Sequence, residues 1–404
     1  MTLVEVHVIN KNHKYWDELD NLCFLSKNLY NSTLYRVRQH YFETETYLNY
    51  NKVNKEFTDS GQKDYIALPR KVSKWTQKLV EQDFKSFFKL LKKKSSGSYS
   101  KKVSLPKYAD SIKGRKALHY EKGALSFVKK GYIRLSQTNI FIKTDLDKKD
   151  VSYVKISHCG SIIKILVGYK VECKESKPNG NYASIDLGIN NLATVSSNVF
   201  EPFIINGKPL KSINQYANKK KAYYQSKLPK GKFSSKKLEN IIVKRNNKIN
   251  DYMHKSSTYI VNQLISNEVS TLVIGYNKDW KQDTNIGNVN NQNFVQIPFY
   301  KFKKMLEYKC QLQGITVAEQ EESYTSKCSF LDNEEIKKHT KYKGNRVNRG
   351  LFVSSNGSKI NADLNGSLNI LKKYLKKKVV WNNQIWLDLI EVCSKPNLKV
   401  INFE

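Results

Sequence analysis

What the sequence is short of narrows it first. It has 404 residues but only six cysteines, and Cys23, Cys159, Cys173, Cys310, Cys328 and Cys393 are scattered with no Cys-x-x-Cys pair among them. Neither a disulfide framework nor a zinc ribbon can be read from that spacing, so most of them read as small buried hydrophobes in a reducing compartment. No apolar run approaches the ~18 residues of a spanning helix, which argues against a membrane-embedded class. The opening MTLVEVHVIN lacks the basic-then-apolar pattern of a signal peptide. A cytoplasmic protein is expected, associated with the nucleoid in a bacterium or nuclear in a eukaryote. The most informative shortage is acid: 36 Asp and Glu face 70 Lys and Arg, a formal net charge of +34. An excess of that size repels itself and implies a polyanionic partner, nucleic acid before an anionic membrane surface. Hydrophobic residues still make up 39% of the chain, enough for two or three domains with real cores.

What is present centres on residues 181 to 195, NYASIDLGINNLATV. Ala183, Ile185 and Leu187 alternate with Ser184 and Asp186, the period of a strand, so Asp186 faces away from Ile185 and Leu187. Gly188 removes a side chain where backbone can approach a ligand. A carboxylate held on a strand beside a glycine suits Mg²⁺; it is equally what a plain strand end turned by Asp-x-Gly looks like. Near the other end of the chain Asp363, in Asn361-Ala362-Asp363, opens a helix carrying Leu364, Leu368, Ile370, Leu371 and Tyr374. There a capping or dipole role competes with a catalytic one. Two-metal phosphodiester chemistry needs several carboxylates around cations about 4 Å apart. A strand-borne Asp, a meander, an α/β continuation and a late helix-borne Asp together describe an RNase H-like fold.

Around these points the chain reads as a strand at residues 2 to 9, a helix from Tyr15 to Phe42, a polar connection to residue 63, and a second helix after Pro69. A basic loop over residues 92 to 102 precedes five short strands between Ala117 and Val171, which suggest a small barrel or curled sheet with the helical hairpin inserted after its first strand. KESKPNGN, residues 174 to 181, marks a domain boundary. Residues 211 to 256 are dense in cations, among them Lys219, Lys220, Lys221, Lys244 and Arg245, with Tyr216, Tyr223, Tyr224 and Tyr252 interleaved. That pattern fits a helix pair facing nucleic acid, against the alternative of a solvated helix face. Further on, TLVI at residues 271 to 274 reads as a buried strand, Pro298 opens a helix running to Leu312, and Ile315 to Glu319 forms another strand.

The stretches SIDLGINNLATV, VIGYNKDWKQ, NNQNFVQIPFYKFKKMLEYK, ESYTSKCSFLD, NRGLF and INADLNGSLNIL resemble the TnpB family of transposon-encoded RNA-guided nucleases, related to compact type V CRISPR effectors and Fanzor proteins. LSKNLYN, KSFFKLLK, LPKY and IRLSQT extend the resemblance toward the N-terminus. It implies an α/β fold with β-barrel and helical parts: a wedge-like barrel (residues 1–12 and 97–175), an inserted helical recognition lobe (13–96), an RNase H-like RuvC nuclease domain (181–324 and 361–404) and a basic insert (325–360) in place of a zinc ribbon. The implied activity is DNA cleavage with Mg²⁺, or Mn²⁺, by one protein monomer carrying one guide RNA, on double- and single-stranded DNA beside a short target-adjacent motif. Asp186 matches the first catalytic acid and Asp363 the last.

Two departures follow. The middle acid of the usual pattern directly follows the strand that here reads TLVI, where this chain has Gly275. Some relatives carry it just before the later Thr-Ser, a position that Glu322 fits. Strand alternation puts Glu322 and Gln320 on one face, and Glu321, the alternative acid, with Glu319 on the other. Second, Cys328 stands alone where relatives carry a zinc ribbon, and with His339 it cannot complete a four-ligand site. No zinc is expected, and residues 325 to 360 should fold without metal or be only partly ordered. Lys327, Arg346 and Arg349 suggest that this stretch still touches nucleic acid. A cleavage-deficient RNA-guided DNA-binding repressor is the alternative function, motivated by Gly275. A DNA transposase is a weaker third, since strand transfer in such elements belongs to another protein.

Overall fold

The computed structural model describes residues 1–276, 295–348, 350–378, 380–393 and 397–403, in two compact units, Met1–Val171 and Glu172–Glu404. In the first unit the alternating strand β1 (Thr2–Asn10) pairs antiparallel with β7 (Ile162–Lys170), from Thr2 opposite Lys170 to Asn10 opposite Ile162. Together with β2 (Leu118–Glu121) and β6 (Val151–Cys159) they make a four-stranded sheet in the order β1-β7-β6-β2. β3 (Leu125–Lys129), β4 (Tyr132–Leu135) and β5 (Phe141–Lys143) form a separate three-stranded sheet. The strands therefore do not close into one hydrogen-bonded barrel.

Between β1 and β2 lie α1 (Trp16–Thr44), α2 (Tyr50–Asp59), α3 (Lys63–Ile66) and α4 (Arg70–Ser95). The segment expected to be a polar connection is partly helical. Asn49 caps α2 by accepting from Lys52 N, and Val53 and Phe57, four residues apart, bury one side of an otherwise polar helix. Two apolar residues in ten are too thin a stripe to stand out by periodicity. α4 also continues through Lys92, Lys93 and Lys94 to Ser95, where a loop was expected; cations suit a helix C-terminus.

The second unit is built on a six-stranded sheet in the order β12-β11-β8-β9-β10-β16. β8 (Tyr182–Leu187), β9 (Asn191–Ser197) and β10 (Phe203–Asn206) form an antiparallel meander, while β11 (Thr271–Gly275) and β12 (Thr316–Gln320) add in parallel beside β8. β16 (Lys399–Ile401) runs parallel to β10. Alternation sorts the two sheet faces. Ala183, Ile185, Leu187, Leu272 and Ile274 share one core with residues of α5 (Lys208–Ser226), α6 (Lys236–Ser266) and α7 (Phe299–Leu312). Val273 belongs to a second core with α8 (Ala362–Lys377) and α9 (Asn383–Cys393).

Of the two alternatives expected for residues 325 to 360, folded or only partly ordered, the described residues before α8 are folded. They carry a three-stranded antiparallel sheet of β13 (Asn345–Asn348), β14 (Leu351–Val353) and β15 (Lys359–Asn361). The buried Glu334 carboxylate accepts from the backbone N–H of Ser329 (2.8 Å) and of Lys343 (3.0 Å). Lys372 Nζ on α8 donates to Glu334 O at 2.8 Å, and buried Cys328 points its sulfur at the carbonyls of Glu335 and Lys337. Among the described residues no helix is long and apolar enough to cross a membrane.

Leu272 is fully buried on β11, between β8 and β12. Leu272→Ala should destabilise the unit by about 2–5 kcal/mol in urea unfolding, a cost typical of a buried Leu-to-Ala change.

Candidate active site

The site lies on the sheet face that α8 covers. Three serines and a glycine bring the helix close. Ser367 O accepts from Ser184 Oγ at 2.8 Å, and the Ser367 hydroxyl lies 2.9 Å from that of Ser196 on β9. One residue earlier, a Cβ on Gly366 would stand 2.8 Å from Asp186 Oδ2. Any larger residue there would push the helix away from Asp186, so the glycine is demanded by close approach.

Asp363 sits in the first turn of α8, but it is not the cap. Asn361 Oδ1 takes that part, accepting from the N–H of Asp363 (3.0 Å) and Leu364 (3.2 Å). The Asp363 carboxylate is thereby left to other partners: Asn191 Nδ2 donates to its Oδ2 at 2.7 Å and Arg346 Nη2 to its Oδ1 at 3.0 Å. Asp186 and Asp363 line one cleft of about 670 Å³, together with Asn190, Thr194, Lys211 and Arg346. Lys211 Nζ is held over this cleft by Asn190 Oδ1 at 2.9 Å.

Glu322 follows the end of β12, which runs beside β11 with Gly275 opposite Gln320. Its side chain lies over Gly275. A Cβ added at Gly275 would collide with Glu322 Oε1 and with Ile370 Cδ1, and would come within 3.0 Å of Glu322 Cγ. The space that a side chain at 275 would fill is the space that Glu322 fills. The chain after Glu322 is tied to α8 by amides, since Asn369 Nδ2 donates to Thr325 O (2.9 Å) and Asn365 Nδ2 to Cys328 O (2.9 Å). Glu321 turns elsewhere: Lys373 Nζ and Ser323 N each donate to its carboxylate at 2.6 Å, and its side chain is 53% exposed.

The electrostatics separate the acids in the same way. Burial pushes the Asp186 carboxyl well above the usual carboxylate range, with the negative charges of Glu322 and Asp363 adding to the shift and Arg346 opposing it. Burial, with the charge of Glu321 beside it, raises Glu322 to about 7. Glu321 also meets some burial, but the hydrogen bonds from Lys373 and Ser323 outweigh it and its pKa is lowered.

The cations singled out in the sequence divide three ways. Lys219, Lys220, Lys221 and Lys244 are exposed on α5 and α6, and Lys327 is exposed in the turn after Glu322. Arg245 instead braces the unit, its guanidinium donating to Asn214 Oδ1 at 2.8 Å and Gln296 O at 2.7 Å. Arg346, expected only as a nucleic-acid contact, reaches Asp363; Arg349 lies outside the described residues. Asn191, Thr194, Lys211 and Gly366 were not singled out in the sequence. Asn191 and Gly366 sit inside the stretches that carried the resemblance, while Lys211 lies in the basic run without a distinguishing neighbour.

With this geometry in place, the comparisons with known proteins can be read. The OrfB_IS605 family, described as a probable transposase, matches residues 164–281, and the Cas12f1-like TNB domain matches residues 299–370. The chain is thus similar to the TnpB/OrfB_IS605 family over residues 164–281 and to a Cas12f1-like domain over residues 299–370. One curated relative, the TnpB-like protein ORF457 of Acidianus two-tailed virus, is 28% identical over 222 residues, which is 52% of this chain and 45% of that protein. The match thus spans less than half of the relative's length. Two solved structures share the fold. One is a Cas12f1–sgRNA–target DNA complex, with a TM-score of 0.52 at 14% identity over 88% of this chain and 83% of that one. The other is the mini-RNA-guided endonuclease CRISPR-Cas_phi3, with a TM-score of 0.51 at 10% identity over 92% of each chain.

The raised carboxyls carry a pH signature. Glu322 holds its proton in the fold up to about pH 7, whereas an unfolded glutamate releases it near 4.5. Between those values the native state binds more protons than the unfolded state, so stability falls as pH rises, by up to about 1.4 kcal/mol per unit for one carboxyl. Melting of the metal-free protein from about pH 5 to 8 should show this fall, and Glu322→Gln should flatten it. An unchanged slope in the variant would contradict the buried, raised carboxyl.

Proposed function

We propose that the protein is a metal-dependent, RNA-guided DNA endonuclease. It cuts by phosphodiester hydrolysis at an RNase H-like, RuvC-type site made of Asp186, Glu322 and Asp363, with a guide RNA and a short target-adjacent motif choosing the target. The observation that carries this reading is the Glu322 side chain over Gly275. It supplies a third acid on the sheet face of Asp186, from beside the strand that lacks one. On this reading residues 1–12 and 97–175 act as the wedge, 13–96 as the recognition lobe, 181–324 and 361–404 as the nuclease and 325–360 as a basic target-binding insert. The net charge of +34 supports RNA and DNA as partners, one guide RNA to a monomer.

Among the described residues no three His, Cys, Asp or Glu side chains are grouped closely enough to hold a metal ion as they stand. The donor chemistry suits Mg²⁺, which keeps positions for water and phosphate, and also Mn²⁺: Asp186 and Asp363 line one cleft, and the charge of Glu322, which does not line it, is felt at Asp186. Asp186, Glu322 and Asp363 would hold such ions, which when bound activate water and stabilise the leaving oxygen. The chain's own residues do the rest. Asn191 and Arg346 aim the two oxygens of Asp363, and Lys211 brings positive charge to the phosphodiester. Mutual repulsion among the acids makes the site avid for a cation. The alternative, a cleavage-deficient binder, is suggested by Gly275, and the Glu322 carboxylate lying over that residue weighs against it.

The test is cleavage of a matched duplex in Mg²⁺ by protein carrying its guide RNA. Glu322→Gln should lose more than about 100-fold in rate, beyond the 10–100-fold typical of residues that only support a metal ligand. Glu321→Gln should cut close to the wild-type rate. Full activity in Glu322→Gln refutes the assignment, and loss confined to Glu321→Gln moves the acid by one residue.

A further inference from the structure

The hairpin of α5 and α6 carries a feature that the carboxylate site does not use. Tyr216, Lys220 and Tyr224 fall four residues apart on α5, on one face of the helix; Lys237, Lys244 and Lys248 follow a matching stripe on α6. The two stripes line a single groove of about 860 Å³ whose apolar lining comes from Ile213, Ala217 and Ile241. None of its lining residues is acidic. Tyr216 is 65% exposed, and Lys237 Nζ stands 4.2 Å from the centroid of the Tyr224 ring. A solvated helix pair has no need to gather its cations and phenol rings around an apolar groove.

The occupant is set by charge, shape and position. Phosphates match the lysine rims, and exposed phenol rings match the faces of unstacked bases, which a duplex keeps within its own stack. Position selects the strand. Lys211 on α5 lines the carboxylate cleft, and the next residue, Ser212, lines the groove. The cleft and the groove thus border each other on the first turn of α5, which makes the groove the neighbour of a strand lying across the carboxylates.

We propose that the α5–α6 groove binds single-stranded DNA, with a base stacked on Tyr216 and the backbone between the lysine rims, as the continuation of the strand that is cut. The choice of strand rests on the nuclease reading. The groove's capacity for DNA is measured without cutting, so the two fail separately.

The full-length protein carrying its guide RNA is titrated with a short fluorescent oligothymidine unmatched to the guide. Tyr216→Ala should weaken binding about tenfold and Tyr216→Phe should bind as wild type, a contrast that stacking produces and charge alone does not. Lys237→Gln with Lys244→Gln should reduce the salt slope by about 1.4, at roughly 0.7 per single-strand phosphate contact. Wild-type affinity in Tyr216→Ala overturns the proposal. So does a Tyr216→Ala protein that loses its guide RNA while keeping oligothymidine, because the groove would then be an RNA site. Tyr216-dependent binding by a protein that never cuts matched DNA would leave the groove standing and remove the nuclease reading.

Discussion

The arrangement of the second unit depends on how closely α8 lies on the sheet. That approach comes from four small residues. Ser184 and Ser196 on the strands meet Ser367 on the helix through hydroxyl and carbonyl hydrogen bonds, and Gly366 leaves room for Asp186. A buried serine cluster is tolerable only when its polar atoms are mutually satisfied, and here they are. With the helix seated this low, its first turn brings Asp363 into the cleft that Asp186 lines. The amides of Asn365 and Asn369 fasten the chain that leaves Glu322 to the same helix. One packing contact thus governs the placement of all three acids.

On the proposed reading, the acid between the two aspartates keeps the site's chemistry while a different residue supplies it. β11 and β12 are parallel neighbours, so the ends of both strands reach the same edge of the site. A carboxylate can come from either strand, but not from both, because Glu322 and a side chain at 275 would occupy the same volume. The glycine is therefore the counterpart of Glu322. Partial burial and the neighbouring charge of Glu321 raise Glu322 toward neutrality, as expected of a group that awaits a cation.

Much of this unit was legible in the sequence because its strands and late helix have strong periods. β8, β11 and α8 fall where alternation and helical spacing put them, and Asp186 faces away from Ile185 as the pleat requires. The three acids were named from motif and resemblance, yet nothing in the sequence could reveal that Glu322 lies over Gly275. The two are 47 residues apart, and their contact is created by the pairing of β11 with β12. Arg346 was read as a nucleic-acid contact because charge alone cannot tell a solvated arginine from one paired with Asp363. The helix α2 was missed for want of apolar residues. Between the two alternatives for residues 325 to 360 the sequence could not choose, because the buried Glu334 that ties the described part together is in the sequence one acid among many.

The claim that Glu322 stands in for an acid at position 275 is tested most directly by moving the carboxylate. The measurement is the rate of matched-duplex cleavage in Mg²⁺ for Glu322→Gly alone and for Glu322→Gly combined with Gly275→Glu. If the account holds, the single variant loses cleavage and the double variant recovers part of it, since the vacated volume accepts a carboxylate rooted on β11. Wild-type cleavage by Glu322→Gly alone would contradict it.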